Sequence, residues 1–426
     1  MQANTLIKWF NTRLYIIPVI VLTVLSFSQI GQSLEAADTT PAVDATAMEV
    51  DTTQSDFDVT VDIPAPEQNN GRCTSDPIRT TWFYKPPKNT SMSTVMKHFD
   101  IYVLTRDDEK FLAEVTNAGE GPVLQYIKYD AISDACFQAK KAKNTPCSCN
   151  IKPRANQVAW QQIDICTIRD EHPDWFLRDK SGNLMYWNEF VMMDPGNQGW
   201  REFWLSRIKQ YQQQYPKWGG IFIDNMTTRF GLHSDTFIEL QKYPTEKSYQ
   251  DAVVSYLDWM QNEYFKPTNR LVYGNVSVRW GHTEPFLRYM EELDGAMDEF
   301  WAYPRTGYYS AKSWLPRVER AQKALERGKS MMLVSQGTQT DLNRQLFGLA
   351  SYLLVAGDQI YFRYTSDKAY SQMWLYDNYK ARLGTPLGYY TRSGNTFTRK
   401  FSNGTVTVNP ETRKATITVK SATGGC

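Results

Sequence analysis

Residues 219–225 read Gly-Gly-Ile-Phe-Ile-Asp-Asn, a short apolar run bounded by glycine that stops abruptly at a carboxylate and an amide. Such a run suits a strand buried on both faces, the condition of a parallel sheet covered by helices. In a (β/α) barrel the carboxyl ends of the strands meet the loops that carry chemistry, which makes Asp224 and Asn225 candidates for a site. An Asp after a strand also serves as a turn or helix-capping residue, so a second acid in an equivalent position is the feature to look for.

Residues 294–301, Asp-Gly-Ala-Met-Asp-Glu-Phe-Trp, supply that acid. Setting Gly295 against Gly220 places Glu299 opposite Asp224. Asp298 is the competitor to Glu299, because alternation along a strand sends one of the two inward and the other outward. Two carboxylates facing each other at one end of a barrel fit hydrolysis of a glycosidic bond, in which one protonates the departing oxygen and the other assists at the anomeric carbon. The more apolar pocket raises a carboxyl pKa and makes the proton donor, while a better hydrogen-bonded partner stays ionised. Around this pair, Asn225 and Asn275 end strands where a substrate hydroxyl could be held. Asp130 ends another strand, and Asp194 lies in an Asp-Pro-Gly-Asn turn, so each serves either the cleft or its own turn. Trp301 and Tyr361 are aromatic candidates for covering the apolar C–H face of a sugar ring, against the simpler role of half-buried packing residues.

Charge and composition narrow the partner. The chain has 426 residues, 47 basic and 46 acidic, for a net charge of +1, which marks neither a nucleic-acid footprint nor an anionic-membrane patch. An uncharged or nearly uncharged substrate fits, and carbohydrate is the expectation. There is no His-Glu-x-x-His, no Gly-x-Ser-x-Gly elbow and no phosphate-cradling glycine loop. With only 4 histidines, no metal and no other cofactor is expected.

Four segments follow along the chain. Residues 1–33 carry Lys8 and Arg13 and then an apolar stretch, 14–30, that fits a secretory signal peptide, or a membrane anchor if it is not cleaved. Residues 34–75, rich in Ala, Asp, Thr and Pro, lack the apolar content to offset chain entropy and read as a linker. Residues 76–385 hold eight expected strands, at about 80–84, 99–104, 122–127, 219–225, 271–275, 295–299, 330–335 and 359–362, with helical patterns between them. Residues 386–426 change rhythm to short alternating strands with Asn-Gly and Asn-Pro turns, a small antiparallel sheet. Given export, a disulfide among Cys136, Cys147, Cys149 and Cys166 is expected, with its connectivity open.

The stretches HPDWFLRDKSGN, MDPGNQGWREFW and GGIFIDN, in this order and followed by DGAMDEFW and the strand end Ser335-Gln336-Gly337, resemble the hypothetical glycosyl hydrolase family 15. The resemblance spans about residues 78–420 and implies a TIM barrel and a secreted or envelope-bound sugar-cleaving activity. It supplies no catalytic pair, so Asp224 and Glu299 rest on position alone. The expectation is therefore an α/β protein, a (β/α)8 TIM barrel with a small C-terminal antiparallel β domain. It would act as an exported, monomeric glycoside hydrolase on an oligo- or polysaccharide. The alternative is a non-catalytic glycan-binding or structural envelope protein on a degenerate barrel.

Overall fold

The structure is a computed structural model, and it describes residues 50–51, 61–62, 78–134, 149, 154–230, 237–278 and 282–420. All of them fall within one unit, Val43–Cys426. The expected signal or anchor segment at residues 1–33 lies outside the described residues, as do Cys73, Cys136, Cys147 and Cys426. Cys149 and Cys166 form a disulfide. Among the described residues no helix is long and apolar enough to cross a membrane.

Eight parallel strands close into a barrel in sequential order. They are β1 Arg79–Phe83, β2 Ile101–Leu104, β3 Val123–Ile127, β4 Gly220–Thr227, β5 Leu271–Ser277, β6 Gly295–Asp298, β7 Ser330–Gln336 and β8 Ile360–Thr365. Closure comes from β8 pairing with β1, Tyr361 opposite Arg79 and Phe362 opposite Thr80. Between them run α1 Met92–Met96, α2 Glu109–Asn117, α3 Gln162–Glu171, α4 Gln198–Gln214, α5 Glu246–Met260, α6 Thr283–Glu292, α7 Ala311–Glu326 and α8 Leu342–Leu353. The link from β3 to β4 carries both α3 and α4, together with a small antiparallel sheet of Ala131–Ser133, Tyr186–Trp187 and Phe190–Met192. Side-chain caps set helix starts that apolar spacing does not reveal. Asn197, Ser310 and Asp341 accept the backbone N–H of Trp200, Ser313 and Arg344 at the heads of α4, α7 and α8.

The period of two along each strand divides the core. Phe83, Leu124, Tyr126, Phe222, Tyr273, Met297, Met332 and Val334 pack together inside the barrel. Their immediate neighbours Ile221, Ile223, Val272, Ala296, Met331 and Leu333 pack outward against the helices. Gly295 has no side chain because the Tyr273 ring fills its place: a Cβ there would stand 2.4 Å from that ring. One expectation about register needs correction. Through β5, Gly295 is level with Phe222 rather than Gly220, since Tyr273 pairs with both. The stagger that lets tilted strands close a barrel produces this offset. It is an even number of residues, so the inward and outward sets survive it.

After β8 the chain makes a 3₁₀ turn, Asp377–Lys380, and then the C-terminal sheet of β9 Thr391–Ser393, β10 Thr396–Phe401, β11 Gly404–Asn409 and β12 Lys414–Val419. Val61–Asp62 adds a parallel strand beside β12. The sheet docks on the barrel through Phe397, edge-on to Trp314 of α7 at 4.9 Å. Buried Arg399 donates to the carbonyls of Leu353 and Ala356 at the end of α8, at 3.1 and 2.7 Å, where a cation also meets the negative end of the helix dipole.

Candidate active site

At the carboxyl end of the barrel the inward positions stop being apolar. Continuing the inward set of β3 past Leu124 and Tyr126 leads to Lys128 and Asp130, while β4 leads from Phe222 to Asp224. In the same way β5 leads from Tyr273 to Asn275, β6 from Met297 to Glu299, and β7 from Val334 to Gln336. On β4 the ladder is interrupted between Ile223 and Met226, so that Asp224 and Asn225 face the single residue Asn275. Asn225 takes φ +57°, a left-handed conformation that Asn tolerates, and the extra residue re-aims the strand end beside Asp224.

One amide joins the two acids. Asn275 Nδ2 donates to Asp224 Oδ1 and to Glu299 Oε2, each at 3.1 Å. Two oxygens that share one nitrogen stand at most twice that distance, about 6.2 Å, apart. Asp224 is buried, 2% exposed, and its other oxygen accepts from the Tyr126 hydroxyl and lies 3.6 Å from Lys128 Nζ. Glu299 is half-buried; its Oε1 accepts from Tyr370 and, at 3.4 Å, from Gln336 Nε2, which also donates to the Tyr370 hydroxyl at 2.9 Å. Each acid thus has a tyrosine, and Tyr84 packs against both, stacked on Tyr126 at 4.7 Å and tilted against Tyr370 at 5.7 Å.

Burial and the nearby Asp224 charge push the Glu299 carboxyl above its ordinary range, against the hydrogen bonds from Tyr370 and Asn275. Asp298 behaves oppositely. Burial would raise it, but Arg317 at 2.7 Å and Arg320 at 3.1 Å outweigh burial and hold it below the usual carboxylate range. Both arginines come from α7, on the outer side of the wall, so alternation puts Glu299 in the barrel mouth and Asp298 behind it. Asp130, 4% exposed, is raised to about 7 by burial, with the Asp224 charge adding to the rise and Lys128 opposing it.

Three expected substrate contacts are corrected by their positions. Trp301 is fully buried behind the wall, with Nε1 donating to Gly348 of α8 at 3.1 Å; two residues past the inward Glu299, it has already left the strand ladder. Asp194 is a turn and loop anchor, accepting from Gly196 N at 2.9 Å, from Tyr243, and from Lys242 Nζ at 2.6 Å. Tyr361 points into the barrel but at its amino end, level with Arg79 and Met332 and four residues before Thr365, which pairs with Gln336. Asn225, Asn275 and Asp130 do lie at the mouth. Tyr126, Lys128, Gln336 and Tyr370 complete the site without having been singled out from sequence. Among the described residues no group of three or more His, Cys, Asp or Glu could hold a metal ion.

An eight-stranded parallel barrel with two linked carboxyl groups at its carboxyl end has the form of a TIM-barrel glycoside hydrolase. A family model for hypothetical glycosyl hydrolase family 15 matches residues 150–405, and the chain belongs to that family. It is a glycoside hydrolase, acting on glycosidic bonds of a carbohydrate substrate. Among solved structures it is similar to the glycoside hydrolase domain of PelA from Pseudomonas aeruginosa, with TM-score 0.46 and 12% identity over 70% of this chain and 97% of that one. It is also similar to a maltogenic alpha-amylase from Thermotoga neapolitana, with TM-score 0.41 and 11% identity over 79% of this chain and 87% of that one. An alpha-galactosidase from Geobacillus stearothermophilus gives TM-score 0.40 and 13% identity over 74% of this chain and 43% of that one. No curated protein sequence matches the chain.

Proposed function

We propose that the enzyme cleaves an oligo- or polysaccharide by a two-carboxylate mechanism in which Glu299 is the proton donor and Asp224 the nucleophile. The observation that carries the reading is the Asn275 amide held between the two carboxyl groups. Burial and the Asp224 charge raise the Glu299 pKa, the direction a proton donor needs, and Glu299 is the more exposed of the two, where a leaving-group oxygen can reach it. Asp224 is surrounded by a hydroxyl, an amide and an ammonium, all donors, which an ionised carboxylate accepts without conflict.

The geometry favours retention. Inverting enzymes leave room for a water, with carboxyl groups roughly 6.5–9.5 Å apart, whereas retaining pairs stand about 5–5.5 Å apart. The nearest oxygens of the pair, both bridged by Asn275, are at most about 6.2 Å apart, a close approach that suits the shorter, retaining separation. In the first step Asp224 attacks the anomeric carbon as Glu299 gives its proton to the departing oxygen. In the second, Glu299 takes a proton from water as that water displaces Asp224, restoring both residues.

The deciding experiment is turnover of a glycan panel by the purified protein, with Asp224→Asn and Glu299→Gln as controls. Loss in both is expected, and Glu299→Gln should recover part of its first-step rate on an aryl glycoside whose leaving group needs no proton. Unchanged turnover in either variant sinks the assignment, binding without turnover would make this a glycan-binding barrel, and a first-formed product of inverted configuration excludes the nucleophile. We further propose that the chain is exported through residues 14–30; the Cys149–Cys166 disulfide fits an oxidising compartment. Fractionation of cells expressing the full chain tests this, and retention in the cytoplasm would reject it.

A further inference from the structure

An ion pair on the barrel rim takes no part in the proposed mechanism. Arg305 lies in the loop between β6 and α7 and Asp367 in the loop after β8, both past the carboxyl ends of their strands. Arg305 Nη2 stands 3.4 Å from Asp367 Oδ2, and the two side chains are 38% and 36% exposed, within reach of a substrate. Because β7 lies between β6 and β8, the pair reaches across the end of β7, where Gln336 donates to Glu299 and to Tyr370. Both halves start beside the proton donor. The Arg305 guanidinium sits 5.7 Å from the centre of the ring of Phe300, the residue after Glu299, and Asp367 precedes by three residues the Tyr370 that donates to Glu299.

An ion pair this exposed adds little to stability, in contrast with the buried Asp298 and its two arginines. Its chemistry suits another task. Among the described residues the Arg305 guanidinium and the Asp367 carboxylate make no hydrogen bond, so the donors of one and the acceptors of the other stand side by side at the rim. Adjacent hydroxyls of a sugar need that combination, since each hydroxyl both donates and accepts. A sugar carboxylate would be repelled by Asp367 and a sugar amine by Arg305, which leaves an uncharged unit as the ligand the pair fits. Its place in the cleft follows from Glu299. The proton goes to the departing oxygen, so the departing sugar lies on the Glu299 side, and that is the side the pair borders.

We propose that Arg305 and Asp367 form the subsite for the departing sugar, gripping adjacent hydroxyls of an uncharged unit, so that the enzyme selects substrates with a sugar on the leaving-group side. The inference rests on Glu299 as the proton donor. A purely structural pair would tie the β6 and β8 loops together and treat every leaving group alike, whereas a subsite matters only when a sugar departs.

The test compares kcat/KM of the full chain on two probes at the plateau of its pH profile. One is the oligosaccharide that the wild type cleaves fastest in the glycan panel; the other is the glycosyl fluoride of the same glycone, whose leaving group is a single atom. Arg305→Ala is expected to lose more on the oligosaccharide than on the fluoride by about tenfold or more, the worth of a hydrogen bond from a charged group. Asp367→Ala should show the same selectivity, and the exchange of Arg305→Asp with Asp367→Arg should not recover it, because the donors then stand where the acceptors were. Both positions are exposed, so the variants should fold with denaturation midpoints near wild type. Equal losses on the two probes, or an exchange that restores oligosaccharide turnover, make the pair a strap between loops and overturn the proposal. A selective loss in Arg305→Ala while Glu299→Gln keeps full turnover upholds the subsite and removes Glu299 as the donor, so the two failures are separable.

Discussion

Asp298 and Glu299 are consecutive residues on the two sides of one wall, and their carboxyl groups shift in opposite directions. Outside the wall, Asp298 meets Arg317 and Arg320 of α7, and paired charge prevails over burial. At the mouth, Glu299 meets hydroxyl and amide donors and another acid, and burial prevails. The difference teaches that a buried acid is not in itself a sign of chemistry. An acid whose counter-charges neutralise it is part of the scaffold, whereas one held mainly by neutral donors beside a like charge is shifted toward the protonated form that a proton donor needs.

Breaking the inner half of this comparison should have the largest effect. Glu299→Gln keeps the shape and the hydrogen bonds to Oε1 and removes the proton, and Asp224→Asn removes the nucleophile. Steady-state kinetics on a natural glycan should show losses on the order of 10²–10⁴ in kcat for the acid, with the thermal stability of Glu299→Gln held because an uncharged amide replaces a protonated carboxyl. A stable Glu299→Gln enzyme of normal turnover would erase the distinction between the two sides of β6.

The outer half predicts the reverse. Asp298→Asn leaves two buried guanidinium groups without their counter-ion, a change that destabilises by about 3–5 kcal/mol, read as a lower denaturation midpoint. Activity per folded molecule should stay within a few-fold of wild type, because Asp298 touches nothing in the mouth. If instead turnover collapses in a variant of normal stability, Asp298 was misread as scaffold.

Asp130 sharpens the comparison through pH. Its folded carboxyl is raised to about 7, above its ordinary value of 3.8, so the native state holds a proton that the unfolded chain has already released. Stability from this group is complete below about pH 4 and is lost as pH rises to about 7, by up to about 4 kcal/mol. Asp130→Asn should match wild type in unfolding free energy at pH 4 and exceed it increasingly up to pH 7. A constant difference across that range would contradict the assigned environment.

Much of this was legible from strand alternation. The run that ends at Asp224 fixed a buried strand, and counting by twos from an apolar interior reaches Asn275 and Glu299 whatever the register, because the barrel stagger is even. Tyr126, Lys128 and Gln336 were accessible by the same count, since they share the inward parity of Leu124 and Val334. Trp301 and Asp194 were not, because their partners, Gly348 and the Lys242–Tyr243 pair, lie 47 and about 49 residues away in sequence. Tyr361 failed for another reason: parity gives the face of a strand but not the height along it. Tyr370 carries no sequence signal at all. It stands in the loop after β8, and Arg363 fixes it by donating to its carbonyl at 2.6 Å and to that of Gln372 at 3.1 Å.

That loop residue supplies the finest adjustment, and the smallest expected effect. The Tyr370 hydroxyl donates to Glu299 Oε1, which favours the ionised form and so opposes the upward shift from burial and from Asp224. Tyr370→Phe removes this opposition while Gln336 Nε2 and Asn275 Nδ2 still donate to the carboxyl. The Glu299 pKa should therefore rise further. Because the protonated form is the working one, activity persists until pH climbs through that pKa, and the basic limb of kcat/KM must move to higher pH. A limb that moves to lower pH would mean that Tyr370 stabilises the protonated acid instead, and a limb that does not move would mean that the proton donor of the site is some group other than Glu299.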